Sequence, residues 1–147
     1  MVTLEGVILT KILIIENKSG NVLHGLKKSE NSFNGFGEAY FSFANYNSPK
    51  GWKRHNLMTL NLIVPIGEIK FVLFDDRKLS KTYNEFFEIE LSYNNYFRLT
   101  IPPGIWVSFV GIGKGQNILL NIGNLEHDPN EADTLLINNN IIPYTWI

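Results

Sequence analysis

Short apolar runs of strand length divide the sequence, and this pattern most strongly limits the folds available to the chain. Nine runs of about five to nine residues are separated by glycine, proline or polar residues. They are rich in β-branched and aromatic side chains, which pack well on a pleated surface, and no long segment has a helical period. The pattern predicts an all-β chain that forms a single domain over residues 1–147. The runs cover residues 7–15, 22–26, 39–44, 58–64, 69–74, 86–91, 97–101, 105–110 and 118–122.

Turn signals separate several of these runs. Proline and glycine at residues 65–67 and 102–104 predict two sharp reversals between neighbouring strands. Residues 128–132 indicate a helix start or a turn, because Asp128 can cap a helix and Pro129 suits its first position. Strands joined in this way are compatible with an immunoglobulin-like sandwich, an OB barrel or a double-stranded β-helix, the jelly roll of the cupins.

Charge and composition exclude several classes of function. The chain has 13 basic and 14 acidic side chains and no cysteine, so disulfides, thiol nucleophiles and cysteine-based metal sites are excluded. The near-neutral charge and the lack of a long basic run argue against a nucleic-acid partner. Residues 7–15 are too short to span a bilayer and lack the flanks of a signal peptide. We therefore expect a cytoplasmic protein without a membrane partner.

The densest group of reactive side chains lies at residues 51–55, Gly-Trp-Lys-Arg-His. In a strand, Lys53 and His55 would share one face, and Trp52 and Arg54 the other. If the first face lines a barrel, an imidazole that titrates near neutrality lies beside a cation, which suits proton transfer. The alternative is a surface cluster at a strand end, with Trp52 covering the edge of the core.

Several segments carry a resemblance to a known family, in the order in which the family has them. They are residues 36–42, residues 51–55 with 58–61, Gly67 with residues 74–77, residues 98–106, and residues 121–129. Together these segments resemble the RmlC-like cupins, the dTDP-4-dehydrorhamnose 3,5-epimerase superfamily. The similarity is greatest to its short members, the dTDP-sugar 3,4-ketoisomerases and WxcM-like proteins.

This resemblance implies a jelly-roll homodimer that binds a nucleotide-linked 4-keto-6-deoxysugar in the mouth of the barrel, for surface polysaccharide synthesis. His55 matches the base that removes a proton next to the ketone, with Lys53 and Arg54 as its electrostatic partners. Arg77 and Arg98 correspond to arginines that contact phosphate. No cofactor is implied.

Four positions depart from the family pattern. Asn121 stands where the epimerases have the tyrosine that acts as the catalytic acid. Asn139 stands where they have the aspartate that orients the base. Val107 replaces a second active-site histidine, and Leu57 replaces the second histidine of the ketoisomerases. Since asparagine does not exchange protons at neutral pH, the standard epimerase machinery is incomplete. The missing histidines also argue against a metal site.

Other side chains are candidates for the missing roles. Tyr40 is an alternative acid, and Glu38 lies on the same strand face as Tyr40. Asn61, expected on the face of His55, and Asn121 are candidate hydrogen-bond donors to the sugar. We therefore expect an epimerase or ketoisomerase that acts by enolisation. The alternatives are a non-catalytic cupin that binds a sugar nucleotide and an accessory subunit of another enzyme.

Overall fold

The computed structural model describes residues 2–146, which form twelve β-strands. Their bounds are β1 Ile8–Lys11, β2 Ile14–Ile15, β3 Val22–Leu23, β4 Glu38–Phe43, β5 Lys50–His55, β6 Leu60–Ile66, β7 Glu68–Asp75, β8 Phe86–Ser92, β9 Phe97–Ile101, β10 Ile105–Gly111, β11 Ile118–Gly123 and β12 Ala132–Thr134. Each of the nine predicted runs overlaps at least one of these strands, so the predicted all-β class is confirmed.

Two five-stranded sheets pack face to face, with the strand orders β1-β9-β6-β11-β4 and β12-β5-β10-β7-β8. A separate two-stranded hairpin joins β2 to β3. The named strands pair antiparallel. From β4 to β12, successive strands mostly alternate between the two sheets. This is the predicted double-stranded β-helix, or jelly roll. Across residues 2–146, no helix has both the length and the hydropathy needed to cross a membrane.

The core lies between the two sheets and follows the alternation of side chains along each strand. Its central members are nearly inaccessible to solvent and come from both sheets: Leu62, Val64, Leu99 and Leu119 from the first, and Ile69, Phe71 and Leu73 from the second. Burying each of these side chains contributes about 1.5–3 kcal/mol relative to exposure. This apolar core holds the two sheets together, and a cavity lies beside it between the same sheets.

A second apolar cluster lies on the outer face of the second sheet. Trp52 and Trp106 are covered there by the C-terminal segment, in which Ile142 is buried and Tyr144 and Trp146 are partly buried. The rings of Trp52 and Tyr144 meet edge to face at a centroid distance of 6.0 Å. The C-terminal segment thus packs Ile142, Tyr144 and Trp146 on its own chain.

Glycines lie at the two reversals predicted from the sequence. Gly67 separates β6 from β7 and has a φ of 79°. A Cβ atom there would lie 2.3 Å from the carbonyl oxygen of Gln116, so both the backbone and the space require glycine. Gly104 separates β9 from β10 and also has a positive φ, of 89°. Both predicted turns are confirmed.

Two strands fall outside the predicted apolar runs. β5 is mostly polar, and β12 has only three residues, so neither shows a hydrophobic pattern that is long enough to recognise. The helix predicted as one alternative at residues 128–132 is wrong, since residues 129–131 form a turn and bend, and Ala132 begins β12. Pairing of β12 with β5 supplies the backbone hydrogen bonds that the local sequence does not signal.

Candidate active site

A cavity of about 180 Å³ opens between β4 and β11 of one sheet and β5 and β10 of the other. Its polar lining consists of Tyr40, Ser42, Lys50, Lys53, His55 and Asn121. Leu60, Leu62, Val107 and Phe109 supply apolar walls. A small pocket with apolar walls and a few convergent polar groups is the usual form of a ligand site in a barrel mouth.

The alternation predicted for β5 is confirmed. Lys53 and His55 line the cavity, whereas Trp52 is buried in the cluster on the outer face. Past a register shift in its pairing with β10, β5 pairs with both β10 and β12 at Lys53 and Arg54, so its side chains alternate between the two faces there. His55 is therefore carried on a rigid element and faces the cavity.

A buried carboxylate binds the His55 ring through its Nδ1 atom. Nδ1 of His55 lies 2.6 Å from Oε1 of Glu131, and both side chains are buried. The other oxygen of Glu131, Oε2, accepts backbone N–H groups from Asn56 and Leu57 at 2.8 Å and from Met58 at 3.0 Å. Glu131 thus satisfies the turn that follows β5 and binds the histidine at its end.

The electrostatics of Glu131 set the tautomer of His55. Burial opposes the charge, but the hydrogen bonds from the Leu57 backbone, the His55 ring and the Met58 backbone prevail and lower the pKa of Glu131 to about 2. An ionised carboxylate only accepts hydrogen bonds, so Nδ1 of His55 carries a proton. In the neutral imidazole, Nε2 then has the free lone pair and can act as a base.

Sequence reasoning missed Glu131 and assigned the matching position to Asn139. The structure corrects this alignment, because the Asn139 side chain bonds only within its own loop, to Leu136, Ile141 and Ile142. The base therefore has an orienting carboxylate after all. The available signal was a lone glutamate just before a short polar strand, which is too common to single out.

Tyr40 and Asn121 lie on neighbouring strands in the cavity, as their pairing in β4 and β11 requires. Burial, and then the nearby charge of Glu38, raise the pKa of the Tyr40 phenol, so it stays protonated and can donate. Asn121 donates to the Ser42 hydroxyl at 2.8 Å. The structure brings Tyr40, Lys53, His55 and Asn121 together around one cavity, with Glu38 beside Tyr40.

Arg54 does not face the cavity, so its predicted contact with substrate there is corrected. Its guanidinium lies on the other side of the sheet, 4.5 Å from the ring centroid of Trp106. It forms ion pairs with Asp76 at 2.9 Å and Asp133 at 2.8 Å. Successive residues of a strand point to opposite faces, and this alternation separates Arg54 from His55.

Two further predicted sugar or phosphate contacts, Asn61 and Arg98, lie outside the cavity. Their side chains are buried on the outer face of the first sheet, where Nε of Arg98 donates to Oδ1 of Asn61 at 3.2 Å. Arg98 also binds Glu30 and Ser32 of the segment that covers this face. The prediction that Asn61 shares the face of His55 is wrong, because its strand neighbours Leu60 and Leu62 line the cavity instead.

Arg77 also lies outside the cavity. It donates to both oxygens of the buried Asp75, at 2.8 and 2.9 Å, and to the backbone oxygen of Glu5. Its guanidinium thereby fastens the N-terminal segment to the loop after β7. Over residues 2–146, no group of three or more histidine, aspartate or glutamate side chains is arranged to hold a metal ion.

Several solved structures share this fold over 99% of the chain. A dTDP sugar isomerase from Desulfovibrio desulfuricans G20 is 34% identical, with a TM-score of 0.95 over 99% of this chain and 95% of that chain. A dTDP-4-dehydrorhamnose 3,5-epimerase from Elizabethkingia anophelis NUHP1 is 16% identical, with a TM-score of 0.82 over 99% and 84%. NovW, a 4-keto-6-deoxy sugar epimerase from Streptomyces spheroides, is 16% identical, with a TM-score of 0.87 over 99% and 77%.

The two epimerases share the fold at low identity, whereas the isomerase also shares a third of its residues over nearly the full length of both chains. The scan of family models and the search of curated proteins returned no match. Fold, length and sequence identity agree with the resemblance carried by the sequence motifs. The chain belongs to the RmlC-like cupin family that contains the dTDP-sugar isomerases.

Proposed function

We propose that this protein is an isomerase that enolises a nucleotide-linked 4-keto-6-deoxysugar, with His55 as its base. The observation that carries this proposal is the buried pair of His55 and Glu131, with the ring of His55 lining the cavity. A ketone acidifies the adjacent C–H bonds, and a neutral imidazole held in one tautomer can accept such a proton. The 34% identical relative, a dTDP sugar isomerase, supports a dTDP-linked substrate.

In this mechanism Glu131 holds the Nδ1–H of His55, and Nε2 accepts the proton from the carbon next to the ketone. The ammonium of Lys53 and the protonated phenol of Tyr40 also line the cavity and supply positive charge and a hydrogen bond to the developing enolate oxygen. The cavity, of about 180 Å³, is smaller than the ~300–1,000 Å³ of most ligand pockets. We therefore expect the reacting sugar to enter it, with the nucleotide outside.

Ketoisomerisation fits this cavity better than 3,5-epimerisation. Inversion at carbon requires a proton donor on the face opposite the base, and the position of the epimerase acid is Asn121, which does not exchange protons. Moving a ketone to the neighbouring carbon transfers one proton between the two carbons. It also transfers one proton between the two oxygens of the enediol intermediate. Tyr40 is a suitable group for the oxygens because its phenol both donates and accepts.

Proton NMR in deuterated water with dTDP-4-keto-6-deoxyglucose tests the proposal. We expect loss of a signal beside the ketone with the wild-type protein and no loss with His55→Ala. His127→Ala is the matched control, because His127 is exposed outside the cavity, and it should exchange like the wild type. Equal exchange rates in His55→Ala and the wild type would contradict His55 as the base.

A non-catalytic binding cupin is the second candidate, favoured by Asn121 and Val107 at positions where the epimerases have reactive side chains. It predicts saturation transfer from the protein to the nucleotide, without hydrogen exchange in the sugar. An accessory subunit predicts neither signal. The same samples therefore separate the three candidates.

We also propose that the chain forms a homodimer through the β4 edge of its first sheet. Phe41 and Phe43 on the edge strand β4 are 67% and 54% exposed, and Ile66 on β6, separated from β4 by β11, is 50% exposed. Apolar side chains on an unpaired edge are usually covered by a partner. Light scattering should give twice the 16.8 kDa chain mass, and particles of 16.8 kDa alone would contradict the proposal. A cytoplasmic location and a role in polysaccharide synthesis stay predictions.

A further inference from the structure

Glu131, which orients the base, stands immediately before the three-residue edge strand β12. β12 pairs only with β5 among the described strands, with Ala132 opposite His55 and Asp133 opposite Arg54. Backbone hydrogen bonds hold its two ends, from Asn56 to Glu131 and between Trp52 and Leu135. So short an edge strand has little cooperative support of its own. Besides the hydrogen bonds that the Glu131 carboxylate itself makes, its position depends on what else fastens β12 to β5.

Side-chain contacts on the outer face provide this fastening. Arg54 donates from Nε at 3.2 Å and from Nη2 at 2.8 Å to one oxygen of Asp133, the central residue of β12. A guanidinium that makes two hydrogen bonds to one carboxylate fixes orientation as well as distance. The pair crosses directly from β5 to β12, one residue away from His55 on one strand and two residues away from Glu131 on the other.

Arg54 is itself anchored to the rest of the second sheet. Its Nη1 donates to both oxygens of Asp76, at 3.0 and 2.9 Å, and its plane lies over the ring of Trp106. Nε1 of Trp106 also donates to Asp76, at 2.8 Å. Arg54 therefore links β12 to a rigid point formed by β10 and the loop after β7.

We infer that the ion pair of Arg54 and Asp133 positions Glu131 against His55 from the outer face of the sheet. This inference rests on the proposed function of His55 as a base. Loss of the pair lets β12 move relative to β5, and the 2.6 Å contact between Glu131 and His55 joins these two segments. Arg54 and Asp133 are positioning residues, since neither lines the cavity.

The proposed role differs from a general contribution to stability. The side chains of Arg54 and Asp133 are 27% and 46% exposed. Partly exposed ion pairs contribute little to folding, and a small change in stability at this site would not by itself alter turnover. Misplacing a catalytic group by ~1 Å, in contrast, costs up to about 100-fold in rate. A positioning role thus predicts that loss of the ion pair lowers the turnover rate strongly and the folding stability only slightly.

The variant Asp133→Ala tests the inference, with Glu88→Ala as the matched control. Glu88 pairs with Lys70 at 2.8 Å, with exposures of 27% for the lysine and 43% for the glutamate, far from the cavity. We expect Asp133→Ala to lower kcat about tenfold with KM unchanged. Glu88→Ala should leave kcat unchanged, and Asp133→Glu should restore most of the loss. Equal kcat values in Asp133→Ala and Glu88→Ala would overturn the inference.

A measurement on the free protein separates this inference from the proposed function. Proton NMR should resolve the Nδ1–H of His55, and its exchange with water should accelerate about tenfold in Asp133→Ala, because the hydrogen bond to Glu131 opens more often. This readout needs no turnover, so it tests positioning even if no keto sugar reacts. Unchanged exchange of the Nδ1 proton would overturn the inference on its own.

Combining variants tests whether Asp133 acts through Glu131. Asp133→Ala should lower kcat in the wild type but have no further effect when Glu131→Gln is already present, because the contact being positioned is gone. Equal losses in both backgrounds would show that Asp133 acts by another route and would contradict the inference.

Discussion

At the scale of the residue, His55 depends on what each of its two nitrogens contacts. Nδ1 faces Glu131, whose other oxygen is held by the backbone of the turn after β5. The ring therefore cannot flip without losing a buried hydrogen bond. One glutamate serves both the local structure and the base, which is why an asparagine at position 139 does not leave the histidine unsupported.

Glu131→Gln should lower kcat about 100-fold or more, because it reverses the tautomer of His55. The glutamine has one oxygen, and three backbone N–H groups compete for it. Its amide then donates to Nδ1, which leaves the proton on Nε2 and removes the base. Steady-state kinetics would measure the loss, with the exposed Glu90→Gln as control. Wild-type turnover in Glu131→Gln would exclude this role.

At the scale of the element, the strands divide the polar side chains of β5 between two faces. The inner face carries Lys53 and His55 to the cavity, and the outer face carries Arg54 to its carboxylate partners. Pairing with β10 and β12 holds Lys53 and Arg54 in register with both neighbours, so the two faces stay distinct at this end of the strand. Strands position Lys53, His55 and Asn121, and the segment between β11 and β12 carries Glu131 to the histidine.

Gly67→Ala should destabilise the protein by about 1–3 kcal/mol. The alanine would need a positive φ, and its Cβ atom would lie within 2.4 Å of the Asn117 side chain as well as close to Gln116. Gly115→Ala is the matched control, since nothing lies within 4 Å of a Cβ atom there. Urea unfolding measures both variants. Equal stability of the two would contradict a steric requirement at Gly67.

At the scale of the whole molecule, charge on buried carboxylates links the fold to pH. Glu131 joins distant parts of the chain, Asp75 holds the loop that follows β7, and both have a lowered pKa. At Asp75, burial opposes the shift, and donation from Arg77, Ser80 and Thr82 outweighs it. Such groups stabilise the folded state only while they are ionised.

Stability should therefore fall as the solution is acidified. The pKa of Glu131 is about 2 in the folded chain against an ordinary 4.5, so its contribution is complete above about pH 5 and is lost as the pH falls toward 2. The difference corresponds to about 3 kcal/mol at neutral pH. Urea unfolding from pH 7 to pH 3 should show a shallower decline in Glu131→Gln than in the wild type. Parallel declines would contradict the contribution of Glu131.

The sequence by itself determined the all-β class, most strand positions, the two glycine turns and the two faces of β5. These features depend on local chemistry: apolar alternation, backbone freedom at glycine and the two-residue period of a strand. The order of short motifs also indicated the cupin family and directed attention to His55. Each strand, turn and motif is encoded by residues that are close together along the chain.

Only the tertiary structure decided which carboxylate orients His55, and which predicted residues reach the cavity. Glu131 is 76 residues from its histidine, and no local pattern encodes that pairing. Asn61 and Arg98 are polar residues on two neighbouring strands, β6 and β9, that are buried on both faces, so composition alone could not assign their side. Contacts between distant segments depend on how whole sheets stack and register, and those are properties of the assembled fold.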